Sequence, residues 1–93
     1  MKNQRGEEKR LERIVKGFAN HWRIRILRLL AKEPELSVEE ITEILDANAK
    51  TIGSHLQRLA VAGLIMKRYE GRSVRHKLTP LGKEALISLR KLG

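Results

Sequence analysis

What most limits the fold of this chain is a pair of short helices whose starts and stops are written into their own residues, with only three residues between them. Pro34 ends whatever helix precedes it, because proline has no amide to continue the hydrogen-bonded ladder. Ser37 and Glu40 then stand at the S-x-x-E spacing of a capping box, with Leu36 and Ile41 placed to staple the chain entry. The helix so begun presents Val38, Ile41, Ile44 and Leu45 as its apolar side and lasts to about Leu45, where Asp46-Ala47-Asn48 makes a turn. Asn48 caps a second helix to about Ala62, closed by Gly63 as the left-handed stop. Two short helices across a three-residue turn read as a helix-turn-helix.

The flanks extend this unit on both sides. Residues 1–6 are polar and read as a mobile arm, and the domain proper is read as residues 7–93. From Glu7, Leu11, Ile14, Val15 and Phe18 recur at i, i+3, i+4 and i+7, the period of an amphipathic helix over residues 7–19. Asn20 caps a helix from about Trp22 to Lys32 in which Ile24, Ile26, Leu27, Leu29 and Leu30 cover more than half the circumference, which makes it the central buried helix. Beyond Gly63, Leu64–Tyr69 and Ser73–Leu78 read as two strands around a Glu70-Gly71-Arg72 loop. Thr79 and Pro80 open a last helix over residues 80–92, with a stripe of Leu81, Ala85, Leu86, Leu89 and Leu92. The expected class is mainly α with a small β-hairpin, in the order α-α-α-α-β-β-α. That is the layout of a winged helix-turn-helix, with the hairpin as the wing.

At 93 residues the chain holds one domain, and with one Trp, one Tyr and one Phe its core is aliphatic and thin. A second copy would cover more of it. No cysteine is present, which excludes disulfides, thiolate metal sites and cysteine nucleophiles. The longest apolar runs, such as Leu29-Leu30-Ala31, fall far short of the roughly 20 residues of a membrane span or the 7 to 15 of a signal-peptide core, so the chain reads as soluble and cytoplasmic. Net charge is +9, and it is polarised: residues 1–46 hold ten bases and nine acids, residues 47–93 ten bases and two acids. A basic half suggests a polyanionic partner. The six acids of residues 33–46, next to that half, are expected to point away from a phosphate surface.

Ala19-Asn20-His21-Trp22-Arg23-Ile24-Arg25-Ile26-Leu27 resembles the A-H-P-x-R-L-R-I-L stretch of the arsenic-repressor (ArsR) type of winged-helix transcriptional regulators. Lys50-Thr51-Ile52-Gly53-Ser54-His55-Leu56 resembles that family's S-T-V-S-x-H-L recognition helix, and Ala62-Gly63-Leu64-Ile65 with Glu70-Gly71-Arg72 resembles its A-G-L-V and wing. The resemblance covers Gly17 to Leu78, about two thirds of the chain. It departs where metal-sensing members carry a C-V-C pair, since Ser37 and Glu39 stand there, and at two DNA-contacting positions, now Ala49 and Gly53. His21, His55 and His76 sit in different elements, and residues 79–93 hold no His and one acid, so no metal and no other cofactor is expected. His76 reads as a packing residue on the inward strand face, and Trp22 as core filling.

On the fourth helix, at about 100° per residue, Ile52, Leu56, Leu59 and Ala60 face inward and Lys50, Ser54, Gln57 and Val61 outward. The outward face carries no acid and is small at Gly53 and Ser54, which suits close entry into a major groove. Lys50 suits guanine and Gln57 adenine. Asn48 with the helix N-terminus, Thr51, His55 and Arg58 are candidates for phosphates, as are Lys67, Arg68, Arg75 and Lys77 of the wing, with Arg72 at its tip for the minor groove. The resemblance implies a homodimer joined by the terminal helices, through Leu11, Ile14, Val15, Phe18, Leu86, Leu89 and Leu92. The expected function is that of a transcriptional regulator, a repressor, on double-stranded DNA of pseudo-palindromic sequence; whether it answers to an effector is not disclosed by the sequence. A winged-helix module docking on protein or RNA without base readout is the alternative. Paired carboxylates, a phosphate loop or a nucleophile motif are not found, so an enzyme is not expected.

Overall fold

A computed structural model describes residues 4–18 and 20–92. Five helices and three strands follow one another as α1 (Gln4–Phe18), α2 (His21–Lys32), β1 (Leu36–Ser37), α3 (Val38–Leu45), α4 (Ala49–Val61), β2 (Ile65–Glu70), β3 (Ser73–Leu78) and α5 (Pro80–Leu92). The expected class and order hold, with one strand added. Helix α1 starts at Gln4, so residues 4–6 are helical where an arm was expected.

Local chemistry sets the helix-turn-helix as the sequence implies. Ser37 Oγ accepts from the Glu40 amide at 3.2 Å while Glu40 Oε1 accepts from the Ser37 amide at 3.0 Å, a complete capping box. Asp46 ends α3 at φ 50°, the left-handed conformation that Asp tolerates better than most residues. Asn48 Oδ1 accepts from the amides of Lys50 and Thr51 at 2.8 and 3.2 Å and so starts α4.

The core gathers Ile26, Leu27 and Leu30 of α2, Leu36, Ile41, the Ile52, Leu56 and Leu59 face of α4, Leu64, Ile65, Leu78, and Ala85 and Leu86 of α5. Helix α2 is central, although Ile24 and Leu29 are only half-buried. Ile44, expected inside, is 53% exposed, because the eight-residue α3 packs on one side only. Leu86, expected on a dimer surface, is 5% exposed and belongs to the protomer's own core, whereas its neighbour Ile87 is half exposed. Trp22 is half-buried against the core with the Arg25 guanidinium 5.0 Å from its ring centroid.

The sheet is antiparallel in the order β1-β3-β2. The pairing of Glu70 with Ser73 leaves a two-residue loop, Gly71-Arg72, one residue shorter than expected. Gly71 takes φ 60°, as the first central residue of a type II′ hairpin turn requires. Strand β1 was not expected. It pairs Leu36 with His76 and Ser37 with Arg75, and the carbonyl of Leu36, which can only accept, takes a hydrogen bond from His76 Nδ1 at 3.1 Å. His76 is accordingly buried at 2% exposure. Helix α5 docks where the Thr79 amide donates to the Leu64 carbonyl at 3.1 Å and Thr79 Oγ1 accepts from the Gly82 amide at 3.0 Å. Among the described residues no helix is long and apolar enough to cross a membrane.

Candidate nucleic-acid interface

Burying Ile52, Leu56 and Leu59 turns the opposite side of α4 to solvent. Lys50, Ser54 and Gln57 are exposed there and Gly53 is half-buried with open space around it, so the expected outward face exists as one surface. Val61 continues it at 69% exposure. Thr51 and Arg58 are exposed on its flanks. At the N-terminus the amides of Lys50 and Thr51 are already taken by Asn48, which corrects the expectation that these donors await a phosphate. The cap satisfies them within the chain.

His55 is half-buried rather than open. Arg23 Nε, which can only donate, bonds to His55 Nδ1 at 3.1 Å, leaving the ring proton on Nε2. Burial, reinforced by the charges of Arg23, Arg58 and His21, holds this imidazole below the ordinary histidine range, so it is neutral at pH 7. Arg23 Nη1 donates to the Lys16 carbonyl at 2.5 Å, so one guanidinium ties α1 and α2 to α4.

The wing divides its cations into two groups. Arg68 contacts Glu35 Oε1 at 2.5 Å and Glu70 Oε2 at 2.8 Å, and Arg75 lies 3.4 Å from Glu40 Oε1 and 3.6 Å from Glu70 Oε2. Two of the acids expected to point away from the basic surface, Glu35 and Glu40, are thus turned onto the wing strands. Hydrogen bonding from Arg68 holds the Glu35 carboxyl below the usual range, and bonds from Ser37 do the same for Glu40. Lys67, Arg72 and Lys77 are exposed and have no carboxylate partner among the described residues. They are the wing bases that can meet a phosphate without first breaking an ion pair. Tyr69, which the sequence reading passed over, stands 72% exposed on β2 beside them. Its signal was an aromatic in a strand whose neighbours are charged.

On the terminal helices Val15 and Ile87 are exposed, while Ile14 and Leu89 are half-buried against the protomer's own core. The side chains of Leu11, Phe18 and Leu92 lie outside the described residues. Among the described residues no three His, Asp or Glu come together as metal ligands.

The family model described as bacterial regulatory protein, arsR family, matches residues 21–67, from the start of α2 into β2. The arsenic resistance transcriptional regulator ArsR1 of Pseudomonas putida is 37% identical over 67 residues, 72% of this chain and 52% of that protein, so the chain spans about half of that relative's length. The transcriptional activator HlyU of Vibrio cholerae is 33% identical over 76 residues, 82% of this chain and 69% of that protein. Among solved structures, the homodimeric winged helix-turn-helix DNA-binding domain of a possible ArsR-family transcriptional regulator from Mycobacterium bovis matches with a TM-score of 0.85 at 28% identity, over 99% of this chain and 84% of that one. With half of its length matched by the family model, and with the capped α3–α4 pair and the β2–β3 wing in the order those domains share, this chain belongs to the arsR family of bacterial regulatory proteins.

Proposed function

We propose that the chain is a homodimeric repressor of transcription that occupies a pseudo-palindromic DNA operator. Each α4 enters a major groove, the two entry points lying one helical turn apart, roughly 34–36 Å. The observation that carries this reading is the outward face of α4, where Lys50, Ser54 and Gln57 are exposed together with no acid among them. Lys50 and Gln57 read base edges, Gly53 and Ser54 let the helix backbone approach the groove floor, and Arg72 enters the adjacent minor groove. Thr51, Arg58, Lys67 and Lys77 meet phosphates directly. Arg68 and Arg75 do so after exchanging carboxylates for phosphates, and His55 through its Nε2–H. Val15, exposed on α1, and Leu89, half-buried on α5, support pairing of the terminal helices, as does the homodimeric state of the Mycobacterium relative.

The test is selection of bound duplexes from a random DNA pool. An enriched, two-fold symmetric sequence is expected. A pool that stays random after several rounds refutes base readout and leaves the fold as a docking module for protein or RNA.

A further inference from the structure

Between α1, α2 and α4 lies an open cleft of about 370 Å³ lined by Lys16, Arg23, Ser54, Gln57, Arg58, Val61 and Ala62. Three cations and two neutral hydrogen-bonding side chains line it; Lys16 Nζ is paired with Glu12 Oε1 at 2.8 Å, whereas Arg23 and Arg58 have no carboxylate partner among the described residues. Arg23 is half-buried, has no carboxylate partner among the described residues, and uses only two of its five N–H donors, one on His55 Nδ1 and one on the Lys16 carbonyl. Its orientation is therefore fixed, and its three other donors have no partner among the described residues. Burial, and then the nearby charge of Arg58, both act against its positive charge. An anion placed beside the half-buried Arg23 and the exposed Arg58 offsets both effects.

We propose that this cleft binds a phosphate group, and that in the DNA complex the phosphate belongs to the backbone strand bordering the groove entered by α4. The proposal rests on the DNA-binding reading above and extends its footprint from α4 back onto α1 and α2. Arg23 supplies the pre-oriented guanidinium and Arg58 a second one, Ser54 offers a hydroxyl, and Lys16 joins by exchanging Glu12 for the phosphate, while the Gln57 amide stays with the base it reads. Arg23 anchors the site, and its bond to His55 makes that imidazole a reporter of what binds there.

The experiment has two arms. In the first, inorganic phosphate is titrated into the full chain at constant ionic strength while the His55 ring is followed by NMR, with chloride as the control. Phosphate should shift the resonances saturably and raise the His55 pKa, because an anion offsets the charges of Arg23 and Arg58, and Arg58→Gln should weaken that binding about tenfold. In the second, Lys16→Gln is assayed on selected and scrambled duplexes across salt concentrations. Equal weakening on both, with the slope of log K against log salt reduced by about 0.9 or less, identifies the DNA backbone as the source of the phosphate. A His55 response to phosphate with Lys16→Gln neutral on DNA supports a site for a free phosphate-class anion instead. If phosphate leaves His55 unmoved and Lys16→Gln leaves DNA binding unchanged, the proposal is wrong. A protein that fails to enrich any DNA yet still answers phosphate separates failure of the DNA reading from failure of the cleft.

Discussion

Two glycines inside helices are predicted to respond to the same substitution with opposite signs. Gly53 lies within α4 and Gly82 in the first turn of α5. A Cβ built on Gly53 meets nothing within 4 Å, so Gly53→Ala collects the helix propensity difference of about 0.8–1.0 kcal/mol without strain. A Cβ on Gly82 overlaps the Leu64 carbonyl oxygen and reaches to 3.2 Å from Leu78 Cδ2. Relief requires α5 to move away from that carbonyl, which loosens the Thr79 amide bond to Leu64 and the packing of Ala85 and Leu86. Overpacking of this kind costs roughly 1–3 kcal/mol and the loosened hydrogen bond about 1 more, against a propensity gain of about 1. At about 4–8 °C per kcal/mol for a domain of this size, Gly53→Ala should raise Tm by roughly 4–8 °C and Gly82→Ala lower it by roughly 5–20 °C. Far-UV circular dichroism melts at one fixed protein concentration measure this, since any association would make Tm concentration-dependent. A Gly82→Ala variant as stable as the parent would refute the docking of α5 described above. On specific DNA the more stable Gly53→Ala should nonetheless bind less tightly, because its new methyl stands on the face proposed to approach the groove floor.

Gln57→Ala should cost about 1–3 kcal/mol on the selected duplex and much less on scrambled DNA, relaxing preference at one base pair, and equal losses on both would take base readout away from Gln57. Arg72→Ala and Lys77→Ala should each lower the salt slope by about 0.9 on all duplexes, with a smaller change for Arg68→Ala, whose ion pairs with Glu35 and Glu70 compete with phosphate; equal slopes across the three would discount those pairs. Val15→Glu or Leu89→Glu should give monomers by sedimentation at micromolar concentration, and a parent protein already monomeric there would remove the terminal-helix interface. His55 and His76 are both held below the ordinary histidine value, chiefly by burial, so the unfolded chain binds protons more readily. Stability from these two groups is complete above about pH 6.5 and is lost as pH falls through their lower folded values, so Tm should be level near pH 7–8 and decline below about 6.5, less steeply in His76→Gln. A flat profile to pH 5 would contradict the burial of both rings.

The helix-turn-helix was legible because its instructions are local. Ser37, Glu40, Asp46 and Asn48 each act within a few residues, so spacing alone locates both helices and the turn. Strand β1 was not legible, since two residues hold no period and Leu36 meets its partner His76 forty residues away. Long-range electrostatics were hidden in the same way. Glu35 and Glu40 look like a solvated acidic run until the sheet places β3 beside them, and Arg23 gives no sign in one dimension that it will hold His55, 32 residues on. Helical periodicity put Leu86 and Ile44 on the right helices. It could not say which of two neighbouring stripes a short helix turns inward, because that depends on which neighbour it packs against.

The brief pairing of Leu36 and Ser37 with β3 joins the start of the helix-turn-helix to the inner strand of the wing. Ser37 is shared: its side chain and amide begin α3 while its strand position opposes Arg75. The wing is in this way riveted to the helix that carries the turn into α4, and the span from the outward face of α4 to the tip at Gly71-Arg72 behaves like the fixed opening of a pair of calipers. A duplex must bring its major and minor grooves to that opening. In the proposed dimer the adjustable dimension is then the hinge between two rigid calipers, so a signal that releases DNA would act by changing the angle between protomers rather than by bending the wing.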